Sequence, residues 1–77
     1  MGLTAKKKSP LERNPDGTVS WTAEPGDRYL VTGTTPDGRR FKQLHHTWGM
    51  ARSINLWRGR RWLLRDGKRH LINRTWN

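Results

Sequence analysis

Read for apolar and polar positions, the chain opens with a stretch that has no period and continues as short runs with β character. Residues 28–33 and 39–45 flank Pro36-Asp37-Gly38, and residues 60–65 and 68–76 flank Asp66-Gly67. Asp-Gly between two β-type runs signals a hairpin, because a two-residue type I′ turn needs positive φ at both central positions. A short strand at 19–22 and another at 53–57 complete the expected set. The latter is expected to pair with 60–65 across a turn at Arg58-Gly59. All four prolines lie in the first half, which leaves the second half free for an antiparallel ladder.

Two stretches fall outside this scheme. Residues 46–52 carry helical spacing at Leu44, Trp48 and Ala51, but Gly49 weakens a helix there by about 1 kcal/mol. One helical turn is expected. Residues 1–18 combine Lys6-Lys7-Lys8 with two prolines and two glycines. Such a composition buries too little to offset its ordering entropy, and it reads as a flexible basic tail. The expected fold is all-β: a small antiparallel sheet or partly open barrel of about five strands over residues 19–77, in one domain.

Alternation assigns side chains to faces. Arg40 and Lys42 share one face of their strand, Arg61 and Arg65 one face of theirs, and His70 and Arg74 one face of the last. No run is apolar on one side and polar on the other without exception. A second pattern links the two hairpins. Arg28-Tyr29-Leu30-Val31, a turn, two basic residues and Thr47-Trp48 are echoed by Arg61-Trp62-Leu63-Leu64, a turn, two basic residues and Thr75-Trp76. Hairpin rules alone can generate such an echo, so it supports the hairpins rather than a duplication.

Composition narrows the class. Of 77 residues, 16 are Lys or Arg and 6 are Asp or Glu, a formal charge of +10. Hydrophobic residues are 31 %, against ~45–50 % in ordinary domains, so the core must be small and rich in its five tryptophans. Residues 1–37 carry five basic and five acidic side chains; residues 38–77 carry eleven basic ones against Asp66 alone. The net charge therefore belongs to the C-terminal half, where it opposes compaction and attracts polyanions. With no cysteine there is no disulfide framework and no thiolate metal site. The longest apolar run, Trp62-Leu63-Leu64, is too short to span a membrane or form a signal-peptide core. A cytoplasmic setting without membrane contact is expected.

The chemistry that stands out is basic and aromatic. Trp57-Arg58-Gly59-Arg60-Arg61-Trp62 would place three guanidiniums at a hairpin tip, with Arg65, Lys68 and Arg69 at its other end. Guanidinium matches phosphate and guanine edges bidentately, and tryptophan stacks on bases. Arg40, Lys42, Arg58, Arg60, Arg61, Arg65, Lys68, Arg69 and Arg74 are the expected phosphate contacts, and Trp57 the expected stacking residue. In pattern, runs 53–57, 60–65 and 68–76 resemble the three-stranded sheets of integrase arm-binding and plant AP2-type domains, without their long packing helix. That likeness implies a sheet laid in a DNA groove and no more.

The reading is a small nucleic-acid-binding accessory or regulatory factor of the phage or plasmid kind, with DNA expected over RNA. The alternative is an interaction module or inhibitor that docks the same Trp/Arg face on an acidic protein. A monomer is expected, or a weak homodimer paired through an edge strand. Enzymatic roles find little support. Asp16, Asp37 and Asp66 are explained by their turns, no carboxylate pair is forced to converge, and adjacent His45 and His46 would face opposite ways. No catalytic residue, cofactor or metal is expected. An ordinary role for either histidine is a phosphate contact or a cap on the sheet.

Overall fold

A computed structural model describes residues 9–76, Trp76 by its backbone alone, so the Lys6–Lys8 arm lies outside the described residues. The order of elements is β1 (Glu12–Arg13), β2 (Val19–Ser20), β3 (Arg28–Thr34), β4 (Arg40–His45), α1 (Trp48–Arg52), β5 (Arg58–Arg65) and β6 (Lys68–Trp76). β1 and β2 form a two-stranded sheet, and the other four strands form an antiparallel sheet in the order β4-β3-β5-β6. The all-β class follows directly.

The turns obey their sequences. Asp66 and Gly67 both have positive φ, 54° and 73°, as a two-residue type I′ turn requires. The two Pro-Asp-Gly turns differ from that expectation. At 35–39 only Gly38 is left-handed (φ 89°); the Gly38 amide donates to the Thr35 carbonyl and the Thr35 amide to the Arg39 carbonyl. Proline at the first central position fixes a negative φ, which forbids type I′ and leaves a type I turn closed by a left-handed glycine. The turn at 14–18 repeats the same bonds, with Gly17 at φ 89°.

That second turn corrects the expected tail. Residues 9–18 are not a featureless arm, because β1 pairs with β2 through Glu12–Ser20 and Arg13–Val19. Asn14 Nδ2 donates to the Thr18 and Ser20 hydroxyls. Arg13 Nη2 and Nη1 donate to the Leu71 and Ile72 carbonyls, at 2.7 and 3.4 Å, fastening the hairpin to the outer strand β6.

The second correction concerns residues 53–60. No strand forms at 53–57, and Arg58-Gly59 is not a turn: β5 begins at Arg58 and pairs along its length with β3, Thr34 opposite Arg58. The reason lies in two facing glycines. Gly33 pairs with Gly59, and a Cβ on Gly33 would run into the Arg58 carbonyl oxygen and Gly59 Cα. A Cβ on Gly59 would meet the Leu56 side chain and, at 2.8 Å, the Thr32 carbonyl oxygen. Glycine at both places lets the strands meet and lets Leu56, 3 % exposed, lie on the backbone.

The core sits on one face of the four-stranded sheet. Tyr29, Val31, Leu63 and Ile72 from the strands meet Ala51 and Leu56. Trp21 and Trp48 lie over Tyr29, their ring centroids 6.1 and 5.8 Å from it, and the Trp21 indole N–H donates to the Tyr29 hydroxyl. The expected helical turn is α1. Thr47 caps it by accepting from the Met50 amide, and only its Ala51 is buried. One helix, a hairpin and the loop between α1 and β5 thus cover this face.

Candidate nucleic-acid interface

Residues directly opposite in an antiparallel register point to the same face, so the ladder defines the second face row by row. Arg28, Leu64 and Arg69 form the first row; Leu44, Leu30, Trp62 and Leu71 the second; Lys42, Thr32, Arg60 and Arg74 the third; Arg40, Thr34 and Arg58 the fourth. None of these residues reaches the buried class, and among the described residues the covering helix and hairpin pack on the other face. Seven cations and no carboxylate occupy the strand positions of this face. Its acidic neighbours are confined to turns and to the opposite side: Asp37 and Asp66 lie in the hairpin turns, and Asp27 is buried at the start of β3.

Two cations reach the face in ways the linear pattern hides. β6 carries a bulge beside Arg61 and Trp62, where Trp62 pairs with Leu71 and Arg61 with Asn73. The extra residue, Ile72, drops into the core at 2 % exposure. Simple alternation puts Arg74 with His70; the bulge instead turns Arg74 to the open face while His70 stays beside Leu63. Arg28 was not singled out in the sequence, because its run looks apolar. Its place opposite Leu64 puts it on this face, and its Nη1 donates to the Asp27 carbonyl.

Of the ten residues picked from the sequence, Arg40, Lys42, Arg58, Arg60, Arg69 and Arg74 come together here. Trp57 lies just outside β5, 44 % exposed, with the Arg58 guanidinium 4.5 Å from its ring centroid. Its amide donates to the Thr34 carbonyl. The remaining three are elsewhere. Lys68 pairs with Arg65 and takes the core side of the sheet. The three-guanidinium hairpin tip does not exist, since all three stand on one strand, Arg58 and Arg60 on the open face and Arg61 on the core face.

Arg61 is a buried structural cation, 7 % exposed. Its Nε and Nη2 donate to the Ala51 and Ile54 carbonyls and its Nη1 to the Thr75 hydroxyl. It satisfies carbonyls at the end of α1 that would otherwise be orphaned, and burial pulls its pKa below the ordinary guanidinium value. Arg65 is held by carboxylates. Nε and Nη2 grip Asp27 Oδ1 and Oδ2 at 2.9 and 2.8 Å, Nη2 also donates to the Thr22 carbonyl, and Nη1 lies 3.5 Å from Glu24 Oε2. The bond from Arg65 holds the Asp27 carboxyl below its usual range. Asp27 also accepts from the Glu24 amide across the Pro25-Gly26 turn, so the pair closes the loop leading into β3.

Row two is the feature that sequence reading missed. Leu44 is 53 % exposed, and Leu30, Trp62 and Leu71 are half-buried. Together they make an apolar stripe across all four strands, with cations in the rows on either side. Arg69 lies 5.1 Å over the Trp62 ring, and the Trp62 indole nitrogen is buried without a hydrogen-bond acceptor among the described residues. In rows three and four, Thr32, Thr34, Arg58 and Arg60 line a shallow depression of about 220 Å³ with Gly33 and Gly59. His45, by contrast, faces the core beside Tyr29 at 7 % exposure and cannot reach a phosphate; His46 is exposed. Among the described residues no three His, Asp or Glu side chains gather as metal ligands, and no helix is long and apolar enough to cross a membrane. Compared with known proteins, the chain matches no family model, no curated protein and no solved structure.

Proposed function

We propose that this protein binds nucleic acid through the uncovered face of its four-stranded sheet. The observation that carries the reading is the sorting of charge by face: seven cations and no carboxylate on one side, while on the other Arg61 is taken up by carbonyls and Arg65 is paired with Asp27. Arg60 and Arg74 stand directly opposite each other, and Lys42 lies in the same row. Cations arrayed on one face attract a ligand that brings the opposite charge to them. A polyanion with regularly spaced phosphates does so, and arginine is the side chain best suited to grip phosphate oxygens.

The size and charge suit an accessory or regulatory factor working in the cytoplasm, of phage or plasmid kind, with DNA the first substrate to try. The test separates the faces. Arg60→Gln with Arg74→Gln removes two charges from the open face; Arg52→Gln with Lys68→Gln removes two elsewhere. Affinity for a labelled duplex or single strand is expected to fall about tenfold or more for the first pair and only slightly for the second. Equal losses, or no binding by the parent protein at low salt, would overturn the reading. In the latter case an acidic protein partner, retained from nuclease-treated lysate, becomes the object of search.

A further inference from the structure

The apolar row distinguishes among nucleic acids. Adjacent rows on one face of an antiparallel sheet lie about 7 Å apart, so Leu44, Leu30, Trp62 and Leu71 run as a strip with cations about 7 Å away on both sides. A duplex has little use for such a strip, because it presents phosphates outward and keeps its base faces stacked inside. A four-stranded face is also too broad for groove docking: β4 and β6 are about 14 Å apart before side chains are counted, against a major groove of about 12 Å. The groove geometry implied by a three-stranded sheet therefore does not carry over to this one.

We infer that the ligand of this face is a single-stranded nucleic acid, its bases laid along the Leu44–Leu30–Trp62–Leu71 row and its phosphates on the flanking cations. The inference rests on the nucleic-acid reading above. A single strand exposes base faces that stack on indole and guanidinium planes regardless of sequence. Arg69 lies over the Trp62 ring of this row, offering a base the outer plane of a guanidinium backed by the indole. On one side Lys42, Arg60 and Arg74 follow, with the Thr32 and Thr34 hydroxyls beside Arg58 and Arg60 in the shallow depression; on the other side stand Arg28 and Arg69. Charge complementarity thus runs parallel to an apolar track, which is how a strand displays its backbone beside its bases.

The experiment is fluorescence anisotropy on the full chain with labelled oligo-dT, oligo-U and a mixed duplex, each about twelve units long, at about 150 mM salt. Either single strand is expected to bind about tenfold tighter than the duplex, and the stronger of the two names DNA or RNA. Trp62→Leu keeps the row apolar but removes the ring, and should cost single-strand binding about tenfold and duplex binding much less. Because Trp62 also packs within the sheet, Leu44→Ser at the exposed edge serves as an independent probe, with an expected loss of about threefold confined to single strands. Duplex binding equal to or tighter than both single strands would overturn the inference and leave the nucleic-acid reading standing. Absent binding to all three probes, at this salt and at low salt, would overturn both.

Discussion

At the scale of single residues, neighbouring arginines have opposite jobs. Arg60 and Arg61 are adjacent in sequence, yet one faces outward among cations and the other is buried against carbonyls. Arg60→Gln should weaken nucleic-acid binding and leave urea unfolding unchanged. Arg61→Met should do the reverse, destabilising by about 2 kcal/mol because two carbonyls lose their donors inside the protein; circular dichroism in urea reads the difference. Gly33 and Gly59 make a sharper case. Gly33→Ala forces a Cβ into the backbone of β5, where no side chain can move aside, and a loss of about 2 kcal/mol or more is expected. In a domain of this size that is a fall in Tm of about 10 °C. Gly59→Ala should cost less if Leu56 yields, so the order of the two melting temperatures checks the geometry.

At the scale of elements, what was legible in the sequence followed the turns. Asp66-Gly67 announced the β5–β6 hairpin, Pro36-Asp37-Gly38 the β3–β4 hairpin, and Leu44, Trp48 and Ala51 the single turn of α1. The misread element was β5. Arg58-Gly59 has turn composition, and nothing in the local sequence reveals that Gly59 will face Gly33, twenty-six residues earlier in the chain. The bulge at Ile72 is equally silent, and it reverses the facing of Arg74. The echo between the two hairpins supported their existence, but it aligns Tyr29, a core residue, with Trp62 on the open face. β2 falls within the strand expected at 19–22, whereas β1 and its turn lie in the expected tail because their stability comes from outside them, through the Arg13 guanidinium on two carbonyls of β6. Arg13→Ala should therefore speed amide hydrogen exchange in residues 12–20 and leave the exchange of β3 and β5 unaltered.

At the scale of the whole molecule, charge is divided between faces and between pH regimes. Residue counts located the excess positive charge in the C-terminal half; only register could sort it into an open-face set and a structural set. Asp27 adds a consequence for acid stability. Its folded pKa lies below the ordinary 3.8 because Arg65 bonds to the carboxylate, so its contribution is intact above that value and is lost as pH falls through the folded pKa. Asp16, lowered by its bonds from Thr18, acts in the same direction. The urea midpoint should thus be flat near neutrality and drop in the acid range below about pH 4. Asp27→Asn should be less stable at pH 7 and less sensitive to acid, whereas an unchanged acid profile would contradict the role given to the Asp27–Arg65 pair.

The central claim, that the open sheet face neutralises phosphates, is tested most directly by the salt dependence of binding. With about six phosphates contacted, log K should fall against log salt with a slope of about −4 to −5, the range set by single-stranded and duplex ligands. Removing Lys42, Arg60 and Arg74 together, each as Gln, should make that slope shallower by about 2 to 3. A parent slope near zero, or a triple variant whose slope matches the parent's, would contradict the account.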